Sequence, residues 1–133
     1  IWSCTSFSEL RRDGLDCQRW NLLNPGEKLR RSYVSECLGT SDSPVIAASD
    51  YMKIFADQIR PFIKSDYFVL GTDGYGRSDT REKLRGFFEV DRYFIVIATL
   101  NILAQQDKIS TNELKRAIKT FDIDVDKLNP LIL

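Results

Sequence analysis

The sequence predicts an α/β domain with a mostly parallel sheet, and three observations support this prediction. First, residues 1–4, 45–48 and 67–70 are apolar runs with the length of strands buried on both faces. Second, each run is followed by a turn and the start of a helix, the order that produces parallel strands. Third, the 133 residues are 43% hydrophobic, which is enough for the core of one domain.

Helices in the first half are predicted from caps and from helix breakers. Ser6 and Glu9 have the spacing of a capping box, which predicts a helix start after the first apolar run. Further helices are predicted at residues 16–23, 33–38, 51–59 and 80–88. The helix at 51–59 is expected to end near Pro61, because proline cannot continue a helix interior.

The last third of the chain is predicted to be helical. Residues 90–106 are apolar on nearly every face, which favours a helix between layers, although residues 93–98 could also form a strand. Ser110 and Glu113 form a second capping box before a helix at residues 111–120. The end predicts a short helical turn at residues 125–128 and an apolar tail, which we expect to dock on another surface.

Composition restricts the possible functions. Nineteen basic residues balance nineteen acidic ones, which argues against nucleic-acid binding and against an anionic membrane as partner. Histidine is absent, so the chain offers no Ser-His-Asp or Cys-His arrangement and no imidazole metal ligand. Three widely spaced cysteines fit reduced thiols in the cytoplasm better than a disulfide framework.

The first residues of the chain are unusual for a natural N-terminus. Residues 1–4 lack a methionine and are immediately strand-like, whereas natural chain starts are usually polar and frayed. We therefore interpret the sequence as a piece of a longer protein.

The candidate site is the segment that follows the third apolar run. Its candidate contact residues are Gly71, Asp73, Gly74, Gly76, Arg77, Ser78 and Asp79. Glycines let backbone amides approach an anion, and arginines bind phosphate or carboxylate bidentately. Against a phosphate site, the segment lacks both the P-loop lysine and the GxGxxG spacing, and it carries acids that repel phosphate.

Two functional interpretations of this segment remain. We favour a strand-to-helix connection in which Asp79, three residues before Glu82, caps the next helix and Arg77 makes an ion pair or an inter-domain contact. The alternative is a stand-alone anion-binding or phosphate-binding regulatory module. Asp122, Asp124 and Asp126 alternate as in a calcium loop, but the required glycine and glutamate are missing there, so we predict no calcium site.

Several segments in order resemble one enzyme family. The segments are TSFSELRRDGLDCQRWN at 5–21, SDYMK at 49–53, VLGTDGYGRSD at 69–79, FEVD at 88–91 and DKLNP at 126–130. Together they resemble the C-terminal transketolase-like domain of homodimeric bacterial pyruvate dehydrogenases, the acetyl-transferring first component of the pyruvate dehydrogenase complex. The sequence departs from the family pattern at Asn24, Tyr75 and residues 86–87, and no family function known to us depends on those positions.

The resemblance implies a fold and a parent reaction. It implies a three-layer α/β/α sandwich, here incomplete because an upstream strand and helix lie outside the 133 residues. It also implies oxidative decarboxylation of pyruvate and transfer of the acetyl group to lipoyl groups of an acetyltransferase partner. Thiamine diphosphate and magnesium would be held by other domains across the homodimer interface. No catalytic, cofactor-binding or metal-binding residue is therefore carried over to this segment.

The resemblance also implies that a missing strand lies between residues 1–4 and 45–48. We therefore expect that the 133 residues do not fold stably alone as a monomer, because unpaired strand edges favour aggregation or swapping.

Overall fold

A computed structural model describes residues 1–39 and 41–133 of the chain. The helices are α1 (Phe7–Leu23), α2 (Tyr33–Leu38), α3 (Lys53–Asp57), α4 (Arg81–Phe87), α5 (Arg92–Gln105) and α6 (Thr111–Thr120). The strands are β1 (Val45–Ala48) and β2 (Tyr67–Leu70), and short 3-10 helices span Arg60–Phe62 and Pro130–Ile132. The bounds of β1, β2, α2 and α6 are those that the sequence predicts.

The two strands form a parallel pair. Val45 lies opposite Tyr67, and Ala48 lies opposite Leu70. The connection between them contains α3 and the Arg60–Phe62 turn, as a parallel crossover requires. The parallel sheet and the strand–turn–helix order are therefore confirmed.

Helices cover both faces of this sheet. Val45, Ala47, Tyr67 and Val69 face the core cluster that side chains from α2, α3 and the Arg60–Phe62 turn complete. Strand side chains alternate, so Phe68 and Leu70 face the opposite side, where α5 contacts β1. This order of layers agrees with the predicted α/β/α class.

Helix α1 is longer than the sequence predicts. The Ser6 hydroxyl accepts a hydrogen bond from the Glu9 amide at 3.2 Å, so the helix starts where the cap indicates. It then continues without a break to Leu23, and the separate helix predicted at 16–23 is only its second half. Glycine fits position 14 of this helix because a side chain there would collide with the Phe62 ring, 2.5 Å from an ideal Cβ.

The strand predicted at residues 1–4 is wrong. Ile1 and Trp2 are exposed, and no described backbone group donates to or accepts from these residues in a ladder. An apolar run becomes a strand only where a neighbouring strand satisfies its backbone groups, and none adjoins it in the described chain.

The structure confirms the helical interpretation of the segment at residues 90–106 and corrects the bounds of two predicted helices. Helix α5 spans Arg92–Gln105 and begins at Arg92 because the Asp91 carboxylate caps it, accepting from Phe94 N at 3.0 Å. The helix predicted at 51–59 is limited to Lys53–Asp57 and then tightens into the 3-10 turn that contains Pro61. The capping box of Ser110 and Glu113 is present in both directions.

The end of the chain forms turns rather than the helical turn predicted at residues 125–128. Asp124 accepts a hydrogen bond from Asp126 N at 2.9 Å, which fixes a local turn. The tail then forms a 3-10 helix in which Pro130 is buried while Leu131 and Ile132 stay more than half exposed. The apolar tail is therefore only partly docked within the chain.

Candidate functional site

The segment of residues 71–79, called here the glycine loop, leaves β2 beside the segment that leaves β1. Thr72 N donates to Tyr51 O at 3.0 Å. An ideal Cβ on Gly71 would lie 2.7 Å from the same carbonyl oxygen and 2.8 Å from Lys53 N. Glycine is required at position 71 because two backbone segments approach each other here.

Asp73 caps a helix that has no cap of its own. Its Oδ1 accepts a hydrogen bond from Lys53 N, the first amide of α3, at 3.2 Å. Met52, which precedes that helix, offers no side-chain acceptor. The carboxylate therefore satisfies an otherwise free amide at the start of α3.

Gly74 and Gly76 have different surroundings. Gly74 has φ +104°, and an ideal Cβ on it would lie 2.6 Å from Pro130 O. The glycine loop and the C-terminal tail are therefore in direct contact at this point. Gly76 has no neighbouring atom within 4 Å of an ideal Cβ and no positive φ. Of these two glycines, the structure gives only Gly74 a role that another residue could not fill.

Asp79 does not cap the following helix, contrary to the sequence prediction. Thr80 is the N-cap of α4, and its hydroxyl accepts from Lys83 N at 3.4 Å. The Asp79 carboxylate instead accepts from Thr80 N at 2.7 Å and lies 3.9 Å from the Lys83 ammonium. Thr80 is the N-cap because it stands three residues before Lys83, the spacing at which an N-cap hydroxyl accepts from a backbone amide of the first turn.

Arg77 lies on an aromatic ring and beside an open cleft. The guanidinium carbon is 4.2 Å from the centroid of the Phe87 ring, a cation–π contact. The cleft, of about 330 Å³, is called here the Arg77 cleft; its lining residues are Arg77, Ser78, Asp79, Lys83, Leu84 and Phe87. Within the described residues no carboxylate pairs with Arg77, so the predicted ion pair is not formed inside the chain.

Other basic side chains at this corner of the molecule are paired. Arg81 and Arg85 both contact the Asp50 carboxylate at the end of β1, and Arg85 also donates to Val90 O at 2.8 Å. These pairs hold α4 against the carboxyl end of the sheet. Sequence reasoning missed Asp50, although parallel strands bring their carboxyl ends together and so place residues 50 and 71–79 side by side.

Lys127 was also missed. Its ammonium donates to Gly86 O at 3.1 Å and to Phe87 O at 2.6 Å, and it lies 3.4 Å from the Glu89 carboxylate. The side chain is 25% exposed, so these contacts are partly shielded from water. No local pattern could reveal a contact between residues about forty positions apart.

The acidic and thiol side chains of the described residues are dispersed or already engaged. In residues 1–39 and 41–133, no group of three histidine, cysteine, aspartate or glutamate side chains could hold a metal ion. Both acids of the glycine loop are engaged with backbone amides. The cysteines are free thiols, and burial is the main cause that raises the pKa of Cys17, which lowers its reactivity.

The most apolar long helix, α5, has 14 residues, and no described helix is both long and apolar enough to cross a bilayer.

Comparison with known proteins gives consistent similarities. Residues 1–91 match the family described as transketolase-like TK C-terminal domain. The chain is 55% identical over 132 residues to the pyruvate dehydrogenase E1 component of Pseudomonas aeruginosa, covering 98% of this chain and 15% of that protein. It is 52% identical to the protein of the same name from Cupriavidus necator and 50% identical to that from Escherichia coli, again over 98% of this chain. The chain thus spans about one seventh of the length of these relatives.

Proposed function

The chain belongs to the family of transketolase-like C-terminal domains, and from this premise we propose that residues 1–133 are the C-terminal domain of a thiamine-diphosphate-dependent pyruvate dehydrogenase. The observation that carries the proposal is the 50–55% identity to pyruvate dehydrogenase E1 components over 98% of the chain. The longer enzyme would decarboxylate pyruvate oxidatively and transfer the acetyl group to lipoyl groups of its acetyltransferase partner.

Within that enzyme, we propose that this segment supports assembly and takes no part in the chemistry. Three features support this role. The chain has no histidine to act as base. The described residues hold no metal-ligand cluster. The acids of the glycine loop satisfy backbone amides of the fold itself. Thiamine diphosphate and magnesium would be bound by the remainder of a homodimeric enzyme located in the cytoplasm.

The sheet supports the further proposal that an additional strand pairs with β1. Val45 N donates to Asp66 O, and Ser49 N donates to Leu70 O. The backbone N–H and C=O groups of the odd-numbered residues of β1 therefore point toward β2. Backbone groups alternate along a strand, so those of Ile46 point to the opposite edge, where the described chain offers no partner. The outer edge of β2 differs from that of β1, because Arg60 donates a hydrogen bond to Tyr67 O at 2.7 Å and so provides this edge with a partner.

Expression of the intact enzyme, meaning the longer polypeptide that we propose contains this chain, tests the proposal. We expect pyruvate-dependent reduction of an artificial electron acceptor that requires added thiamine diphosphate and Mg²⁺. The 133-residue chain alone should give no activity and, in dilute monomeric solution, no cooperative thermal transition. Absence of pyruvate turnover by the cofactor-loaded intact enzyme would contradict the parentage, and a cooperative transition of the isolated monomer would contradict the incomplete-sheet proposal.

An anion-binding regulatory module remains the second candidate, because the Arg77 guanidinium has no anionic partner among the described residues. It is the weaker candidate, because Asp79 lines the same cleft and would repel a phosphate. Calorimetric titration of phosphate, pyrophosphate and nucleotides into the intact enzyme separates the two. Saturable heat that Arg77→Ala abolishes, while thiamine diphosphate still binds, would favour the regulatory module.

A further inference from the structure

We propose that Arg77 binds a carboxylate carried by another part of the longer polypeptide, and that the Arg77 cleft is an interaction surface between this domain and that part. The proposal rests on the proposed function, because it needs a polypeptide several times longer than this chain. The share of the relatives that the chain spans, 14–15%, is consistent with such a remainder.

Most basic side chains around the cleft are paired with carboxylates. Arg81 and Arg85 share Asp50, Lys83 lies beside Asp79, and Lys127 lies beside Glu89. Arg77 is thus the one of these five basic side chains that lacks a carboxylate in the described part of the chain. The acids nearest in sequence, Asp73 and Asp79, already accept hydrogen bonds from Lys53 N and Thr80 N.

The Phe87 ring orients the guanidinium of Arg77. An arginine in water loses considerable side-chain entropy when it binds, which reduces the net affinity of its contacts. The face of Arg77 is packed on the Phe87 ring at 4.2 Å, so part of this entropy is already lost. Stacking uses the face of the guanidinium and leaves its N–H edge free, the edge that binds a carboxylate bidentately.

The charge balance of the cleft favours a carboxylate as its ligand. Arg77 and Lys83 contribute two positive charges to the cleft and Asp79 contributes one negative charge, so the formal balance is +1. A carboxylate with a single charge matches this balance better than a doubly charged phosphate does. Leu84 and Phe87 form an apolar wall suited to the aliphatic stem of a glutamate or aspartate side chain.

Exposed aromatic and apolar side chains lie near the cleft in the loop and the tail. Tyr75, two residues before Arg77, is 79% exposed. Leu131 and Ile132, next to the tail residue that contacts Gly74, are also exposed. Exposed tyrosine and arginine beside apolar residues are the residue types that dominate protein–protein contacts. A polypeptide partner therefore fits this surface better than a small free anion.

A cross-linking experiment on the intact enzyme tests the proposal. A photoreactive p-benzoylphenylalanine replaces Arg77, and mass spectrometry identifies the peptide that it captures in dimers assembled from ¹⁴N-labelled and ¹⁵N-labelled copies. We expect an intrachain cross-link to a peptide outside residues 1–133 that contains aspartate or glutamate. Capture only within residues 1–133, capture of the other copy, capture of a separate protein, or no capture would each overturn the proposal.

Hydrogen exchange measured on the same enzyme adds a readout of charge. In Arg77→Ala, the amides of the captured peptide should exchange about tenfold faster, the effect of losing one charge-assisted hydrogen-bonded contact. Arg77→Lys should show a smaller increase, because lysine keeps the charge but not the bidentate edge. Arg116→Ala, which removes an exposed arginine on α6, is the matched control and should change nothing.

Exchange rates of the captured peptide that are equal in Arg77→Ala and in the unsubstituted enzyme would overturn the role of Arg77. Pyruvate turnover by the unsubstituted enzyme is measured in parallel. If turnover is present and the cross-link fails, the interaction surface is wrong and the parentage stands. If turnover is absent, the proposed function itself fails.

Discussion

Two regions of the molecule place a glycine against a neighbouring segment, but they use it differently. In the interior, Gly14 of α1 makes room for the Phe62 ring, and its backbone is ordinary helix. At the surface, Gly74 of the glycine loop has a positive φ and faces a carbonyl oxygen of the tail. The interior glycine makes room for a side chain, whereas the loop glycine allows the backbone turn of a segment whose Tyr75 and Arg77 side chains are exposed.

The largest effect is expected in the interior. Gly14→Ala should destabilise the domain by about 3 kcal/mol, because its Cβ would overlap the buried Phe62 ring. The matched control is Gly86→Ala in α4, where the nearest atom, Asp91 Oδ2, is 3.8 Å from the new Cβ. That change should be neutral or stabilising by up to about 1 kcal/mol, as alanine is in a helix. Native-state hydrogen exchange of the β1 and β2 amides in the intact enzyme measures the stability change in both variants. Equal changes would contradict the close packing of Gly14 against Phe62.

The loop is expected to give the next effect. Gly74→Ala should cost about 1–3 kcal/mol of local stability, since alanine is strained at this φ and would collide with Pro130 O. Gly76→Ala, with open space and no positive φ, should cost nothing. Hydrogen exchange of the amides in residues 71–79 and of the tail amides is the measurement. Faster tail exchange in Gly74→Ala alone would confirm that loop and tail are coupled, and a matching increase in Gly76→Ala would refute it.

A smaller effect is expected at the link between the tail segment and α4. Lys127→Met should lower local stability by about 1–2 kcal/mol, because two carbonyl oxygens and Glu89 lose a charged partner. Lys119→Met, at an exposed position of α6, is the control and should change stability by less than about 0.5 kcal/mol. Hydrogen exchange of the amides around Gly86 and Phe87 distinguishes the two variants. Equal exchange rates in the two variants would contradict the proposed role of Lys127 in linking the tail segment to α4.

Much of the fold could be predicted because its signals are local. The strands and the capping box of α6 are set by short apolar runs and by residues three apart, and their bounds were correct. The strand at residues 1–4 was not, because strand formation depends on a neighbour that composition cannot reveal. The sequence predicts a helix start after Ser6 and a separate helix at residues 16–23 where α1 is continuous, because the contact between Gly14 and Phe62 that fits this helix to the core is not visible in the local pattern.

The candidate site was less predictable, because its contacts depend on segments that are distant in the sequence. The glycine loop was identified correctly as a strand–helix connection, yet the cap was assigned to Asp79 when Thr80 supplies it. The partners of Asp73, Arg77 and Lys127 lie in other segments, so no spacing within the loop indicates them. The sequence determines which polar groups the glycine loop contains, but the tertiary fold determines which of these groups have partners.

The central claim is that this domain assembles the enzyme without binding its cofactor. Calorimetric titration of thiamine diphosphate with Mg²⁺ into the intact enzyme, compared with its Arg77→Ala variant at concentrations where both are dimers, tests that claim most directly. We predict dissociation constants that agree within about twofold, a difference under 0.5 kcal/mol. A loss of affinity of about tenfold or more in intact dimers would place the glycine loop in the cofactor site and contradict the account.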